Sequence, residues 1–167
     1  MRLNIKWSKQ KKIVENSICE SLRKRIRINL THYRAIHEPE SRFWITYDGE
    51  EIFSISKMQW LNEWDKIKKE YRESNGTEDE CAYAENIMQN NGDYYIDDIQ
   101  DSLYQYSNLS FDDALASKNF IIKALSMIDK RLGKRRLTSM TLPEEEHLLV
   151  KKLYEIRCNI EGINRSR

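Results

Sequence analysis

Glycine and proline are scarce, five and two residues in a chain of 167. That scarcity argues against long flexible linkers and for a fold dominated by helices. Cysteine is almost as rare. Cys19, Cys81 and Cys158 are widely spaced with no CxxC pair, so they form neither a disulfide framework nor a zinc site by themselves and read as three free thiols. Long hydrophobic runs are missing too. Phe120-Ile121-Ile122 and Leu148-Leu149-Val150 fall far short of the ~20 residues of a membrane span. Met1 to Trp7 lacks the apolar core of a signal peptide, so the chain is expected to be soluble and cytoplasmic. The last absence is local: no lysine or arginine occurs between Arg72 and Lys118.

What is present suits one folded domain over residues 1–167, with 40% hydrophobic and 33% charged residues. The net charge of +1 hides a segregation: residues 1–37 carry +8, 38–117 carry −13 and 118–167 carry +6. The distribution, rather than the net value, bears on partners.

The periodicities predict an α+β fold, with an N-terminal helix and a three-stranded antiparallel meander in residues 1–57 and a helical part in 58–162. Ser8 is read as the cap of a helix reaching about Leu22, with Val14, Ile18 and Leu22 on its inner face. Period-two runs follow from Arg25 to Tyr33, Arg42 to Tyr47 and Glu50 to Ser56. Pro39 lies in the first connection, and Asp48-Gly49 suits a type I′ turn in the second. The 3.6 period then returns. Trp60, Trp64, Ile67 and Tyr71 form one stripe, and Thr77 with Glu80 reads as a capping box for a helix stopping at Asn91-Gly92. Ile96, Ile99, Leu103 and Tyr106 form the next stripe, and Ser110 opens a short helix. Ile121, Leu125, Ile128 and Leu132 predict a helix ending at Gly133, and Pro143 is placed first in the last helix, with Leu149, Leu153, Ile156 and Ile160 inward.

Several short motifs occur in order: Lys6-Trp7-Ser8-Lys9, Trp44-Ile45-Thr46-Tyr47-Asp48-Gly49, Leu132-Gly133-Lys134-Arg135-Arg136-Leu137 following Asp129, and Leu153-Tyr154-Glu155-Ile156-Arg157. Together they resemble a family of uncharacterised bacterial cytoplasmic proteins of about this length. The resemblance implies no activity and carries over no catalytic residue.

Three constellations remain. The acidic middle gathers Glu78, Asp79, Glu80, Glu85, Asp93, Asp97, Asp98 and Asp101, with Asp112 and Asp113 beyond, and no local cation. Sharing a surface, these acids repel one another and are relieved by a basic partner, which their field also steers in. Immunity proteins that block cationic nucleases offer the same chemistry. The bland alternative folds the protein's own basic ends across the region. Asp97-Asp98-Ile99-Gln100-Asp101 matches the DDxxD pattern of isoprenyl synthases, but the chain lacks their length and second acidic motif, and no metal or cofactor is expected.

Lys130, Arg131, Lys134, Arg135 and Arg136 surround Gly133. With the N-terminal cations they offer a phosphate or nucleic-acid surface; alternatively they complement a helix C-terminus. They are not a P-loop, whose spacing would need glycine at Ile128 and a hydroxyl at Arg135. The third constellation, His32, His37 and Arg42, admits an enzyme site at the sheet edge. His147 falls in the first turns of the last helix, and no histidine pair has helical metal spacing. The leading expectation is a non-catalytic module that binds a basic protein through the acidic segment. Nucleic-acid or phosphate binding is the alternative, and an enzyme with an unrecognised site is the third reading.

Overall fold

A computed structural model describes residues 6–33, 40–74, 76–77 and 79–163, the side chains of residues 32, 33 and 40 apart. The expected order is present, with helix α7 added to it: helix α1 (Trp7–Ser17), strands β1 (Ile26–Tyr33), β2 (Glu40–Tyr47) and β3 (Glu50–Ser56), then helices α2 (Lys57–Glu73), α3 (Glu80–Asn91), α4 (Ile96–Asn108), α5 (Phe111–Leu115), α6 (Phe120–Ile128), α7 (Lys134–Ser139) and α8 (Leu148–Ile160). The fold is α+β.

The strands form an antiparallel sheet in the order β1-β2-β3. Asp48 (φ 51°) and Gly49 (φ 88°) supply the two positive-φ positions of the tight turn between β2 and β3. The β2–β3 register then shifts, because Ile45 pairs with Phe53 and Thr46 with Glu51, so a bulge falls at Ile52. Ile26, Ile28, Phe43 and Ile45 are buried, the inward half of the period-two pattern. The connection containing Pro39 lies outside the described residues.

Helix α6 is the centre of the helical half. Eight of its nine residues are buried, Phe120 to Ile122 and Ala124 to Ile128, the all-round apolar pattern of a helix enclosed by neighbours. It packs chiefly against α8, with α4 and α5 beside it, while α1 packs on α4 and β1. The α4 stripe is buried as expected, and so are Leu149 and Leu153 of α8, with Ile156 and Ile160 partly covered. One cluster of buried residues runs from Val14 to Cys158.

Five boundaries differ from the periodic reading. Helix α1 ends at Ser17, because Ile18 is extended and bridges Asp129. Val14, Ile18 and Leu22 are all buried nonetheless, since turns at Leu22 and Arg23 keep the inward face after the helix has stopped. Lys6 rather than Ser8 occupies the N-cap, without a side-chain bond. Asp79 caps α3 in place of Thr77, accepting from the N–H groups of Cys81 and Ala82, so Glu80 is the first helical residue and no capping box forms there.

The predicted helix through Leu132 breaks at Asp129. The Asp129 carboxylate accepts the backbone N–H of Arg131 at 2.7 Å, and such local bonds compete with helix continuation. Gly133 therefore begins α7 instead of ending α6. The last helix begins after Pro143, with His147 at its N-cap: imidazole Nδ1 accepts the Leu149 N–H at 3.1 Å.

That cap requires a neutral ring. Burial lowers the His147 pKa, outweighing the charges of Glu146 and Asp93, and the ring stacks on Phe120 with centroids 3.8 Å apart. Protonation is disfavoured in the folded state, so His147 contributes stability fully above its unfolded pKa of about 6.5 and loses it as pH falls below that value, levelling off beneath the folded pKa. His147→Asn keeps a capping oxygen and removes the titration. Denaturant melts between pH 7 and 5 are expected to show a smaller loss of stability in the variant. An unchanged slope would show that His147 does not titrate differently on folding.

Candidate functional site

Helices α2 and α3 pack mainly on each other, and none of the α2 residues is fully buried. Its Trp60–Tyr71 stripe is instead half-covered by aromatic contacts. Trp60 and Trp64 stack with centroids 5.9 Å apart, and Tyr95 meets Trp60 edge-on at 5.1 Å. Tyr71 stacks on Tyr83 at 4.1 Å. Trp60 donates its indole N–H to the Asp93 carbonyl at 3.0 Å, which ties α2 to the loop before α4. The Trp64 indole N–H is buried and has no hydrogen-bond partner.

Beside this stack runs an open groove of about 420 Å³. Trp60, Trp64 and Tyr95 form its aromatic side; Glu85, Asp93 and Asp98 bring carboxylates to it. A second depression of about 240 Å³ shares Gln89 and Asp98 with the groove and adds Asp101. The fold thus gathers four of the eight acids singled out in the sequence around the α3–α4 junction. Burial raises the Asp93 pKa, Glu63 raises it further, and the opposing effect of His147 is smaller. Among the described residues, neither depression has a lysine or arginine in its lining.

The other acids are dispersed or occupied. Asp79 caps α3, and Glu80 is paired with Arg72, which lowers the Glu80 pKa mainly through that hydrogen bond. Asp97 is half-exposed on α4. Asp98 also accepts the Tyr95 N–H at 3.1 Å. Farther along, Asp112 pairs with Arg136 at 2.6 Å, and Asp113 accepts from the Ser110 hydroxyl at 2.6 Å. Glu78 lies outside the described residues. Among the described residues, the N-terminal cations do not reach the acidic face. Lys11 and Arg27 approach Glu15, and Arg25 holds Asp48, which lowers the Asp48 pKa.

The basic cluster is placed differently from the expectation. Lys134 and Arg135 open α7 rather than close a helix, so they do not complement its dipole, while Arg136 falls in its last turn. Several serve other elements instead. Lys130 reaches the Asn16 carbonyl (3.3 Å) at the end of α1, and Lys134 reaches the Glu161 carbonyl (2.6 Å) at the end of α8. Arg131 is committed to Asp129. Hydrogen bonds from Cys19 to Ile128 and from Lys130 to Ser17 bring this segment beside the N-terminal one. The proposed enzyme site is not assembled by described side chains: His37 and the side chain of His32 lie outside them, and Arg42 pairs with Glu51 at 2.5 Å.

Sequence reading missed the aromatic side of the groove. The Trp60 stripe looked like ordinary core, and only its pairing with an acid-rich helix hinted otherwise. It also missed the Tyr106–Asp129–Arg131 network around a buried carboxylate, because Asp129 sits in a run whose spacing matched a continuous helix.

Residues 6–158 match the SF0329 protein family. The chain belongs to that family. Its description names no chemistry, so the geometry must supply the functional argument. Neither the curated proteins nor the solved structures provide a match to the chain. Among the described residues, no helix is long and apolar enough to cross a membrane, and no group of three or more His, Cys, Asp and Glu is arranged to hold a metal.

Proposed function

We propose that this SF0329-family chain is a non-catalytic, bacterial cytoplasmic protein-binding module that captures a basic protein partner through its acidic α3–α4 face. The observation that carries the reading is the gathering of Glu85, Asp93 and Asp101 along two adjoining depressions that have no lysine or arginine among the described residues of their lining. Glu85, Asp93 and Asp101 are each stabilised by a partner's positive charge, and their joint field accelerates encounter with a cationic surface. An immunity-type inhibitor of a cationic enzyme has this chemistry. The commitment of Lys130, Arg131, Lys134 and Arg136 to internal acceptors weighs against the phosphate or nucleic-acid alternative.

The test is affinity purification of the tagged chain from its native host after nuclease treatment, beside a Glu85→Lys/Asp101→Lys variant. Recovery of a stoichiometric basic protein that high salt releases, and that the variant fails to retain, is the expected result. Nucleic acid as the only companion, lost on Lys130→Glu/Arg135→Glu substitution, would replace this reading with the alternative.

A further inference from the structure

The groove is more than a patch of negative charge, because its acids stand beside an ordered aromatic stack. Trp60, Trp64 and Tyr95 are held by mutual contacts and by the Trp60–Asp93 hydrogen bond, so their faces are positioned before any ligand arrives. Glu85 on α3 and Asp93 and Asp98 around the start of α4 line the same space. Aromatic faces attract cations and carboxylates pair with them, and a long aliphatic stem gains by lying along apolar rings. An anionic ligand would meet three carboxylates there. A neutral apolar ligand would leave Glu85 and Asp93 without a counter-charge.

The protein already contains one instance of this recognition. Lys68 places its ammonium 3.4 Å from the centre of the Trp64 ring, yet does not line the groove. We infer that the groove is an anchor pocket for a single lysine or arginine side chain of the basic partner, its stem against Trp60 and Tyr95 and its charge on Glu85 and Asp93. This inference rests on the protein-binding reading above and sharpens it from a face to a pocket.

The peptides acetyl-Lys-Lys-Lys-amide and acetyl-Arg-Arg-Arg-amide serve as probes, with acetyl-Glu-Glu-Glu-amide as control. Each is titrated into the full chain while indole and backbone ¹H–¹⁵N signals are followed. Trp→Phe variants assign the indoles of Trp7, Trp44, Trp60 and Trp64. The cationic peptides are expected to shift the Trp60 and Trp64 indoles saturably and leave those of Trp7 and Trp44 in place. Glu85→Gln/Asp93→Asn is expected to weaken that response about tenfold. The Asp93 carbonyl that receives Trp60 survives this substitution, so unmoved Trp7 and Trp44 signals certify the fold.

Shifts confined to Asp101 and its neighbours, with Trp60 and Trp64 silent, would overturn the pocket and leave the acidic-face reading standing. Equal shifts with the acidic peptide would likewise overturn the pocket. No response anywhere to either cationic peptide would overturn both.

Discussion

Asp129→Ala is expected to destabilise the fold by about 3–5 kcal/mol, the cost of orphaning the buried Tyr106 hydroxyl and the Arg131 backbone N–H and of losing the charged hydrogen bonds from the part-exposed Arg131 side chain. The residue is 0% exposed, and its carboxylate accepts from both Arg131 and Tyr106. Arg131 binds it with Nε at 3.0 Å and Nη2 at 2.6 Å, the backbone N–H of Arg131 adds a third bond, and the Tyr106 hydroxyl donates from α4. Burial alone would raise its pKa, but the hydrogen bonds from Arg131 and Tyr106 outweigh burial and hold it below the usual carboxylate range. Its backbone bridges Ile18, joining the end of α1 to the centre of the helical half. Beside it, the buried Arg157 donates to the carbonyls of Asp129 and Leu132 at 3.3 and 3.0 Å.

The same wiring sets the direction of the acid response. Because the folded pKa is depressed, Asp129 contributes its stability above an unfolded value near 3.9 and loses it as pH falls through the folded value. Thermal denaturation at pH 7 checks the main effect. With about 2–4 °C per kcal/mol at this chain length, a loss of roughly 6–20 °C in Tm is expected. Tyr106→Phe removes one donor without creating a cavity, and the Asp129→Ala/Tyr106→Phe double variant is expected to be at least ~0.5 kcal/mol less destabilised than the two singles summed. A single-variant loss under about 1 kcal/mol would mean that Asp129 is not the buried acceptor described.

Fold class, strand order and most inward-facing residues were legible because they depend on period and on a few turn residues. Asp48-Gly49 specifies its turn locally, and Ser110 specifies its cap locally. Boundaries that depend on distant partners were not legible. Nothing around Ser17 announces that α1 must stop there; the stop comes from the Ile18–Asp129 bridge, more than a hundred residues apart in sequence. The candidate site divides the same way. Its acids were visible as a 45-residue interval, 73–117, without lysine or arginine. Which of them share a groove was set by how α3 turns into α4, and the capping duty of Asp79 or the pairing of Glu80 with Arg72 could not be read from composition. Spacing also misassigned the cations near Gly133, since the helix ends that Lys130 and Lys134 serve belong to other parts of the chain.

Phe120→Ala is expected to cost about 3–5 kcal/mol, the usual range for emptying a large aromatic site in a core. Its consequences should extend beyond stability, because this ring stands where four segments meet. It packs edge-on against Phe53 of β3 at 6.0 Å, lies 4.9 Å from Tyr94 before α4, and stacks on His147 at the head of α8 at 3.8 Å. Gly92 completes the junction: its φ of 81° is left-handed, and a Cβ there would come within 3.1 Å of the His147 ring. Tyr94 and Asp93 belong to the loop that receives Trp60, so Phe120 supports the floor from which the aromatic groove is built. Phe120→Leu, which keeps most of the volume, should recover more than half of the stability. In the alanine variant the His147 ring loses its stacking partner and gains water, so the pH-dependent loss between 7 and 5 should shrink together with Tm. Urea melts at both pH values separate the two effects. A variant with lowered Tm but an unaltered pH slope would show that Phe120 is core alone, with no part in holding His147 neutral or in carrying the groove.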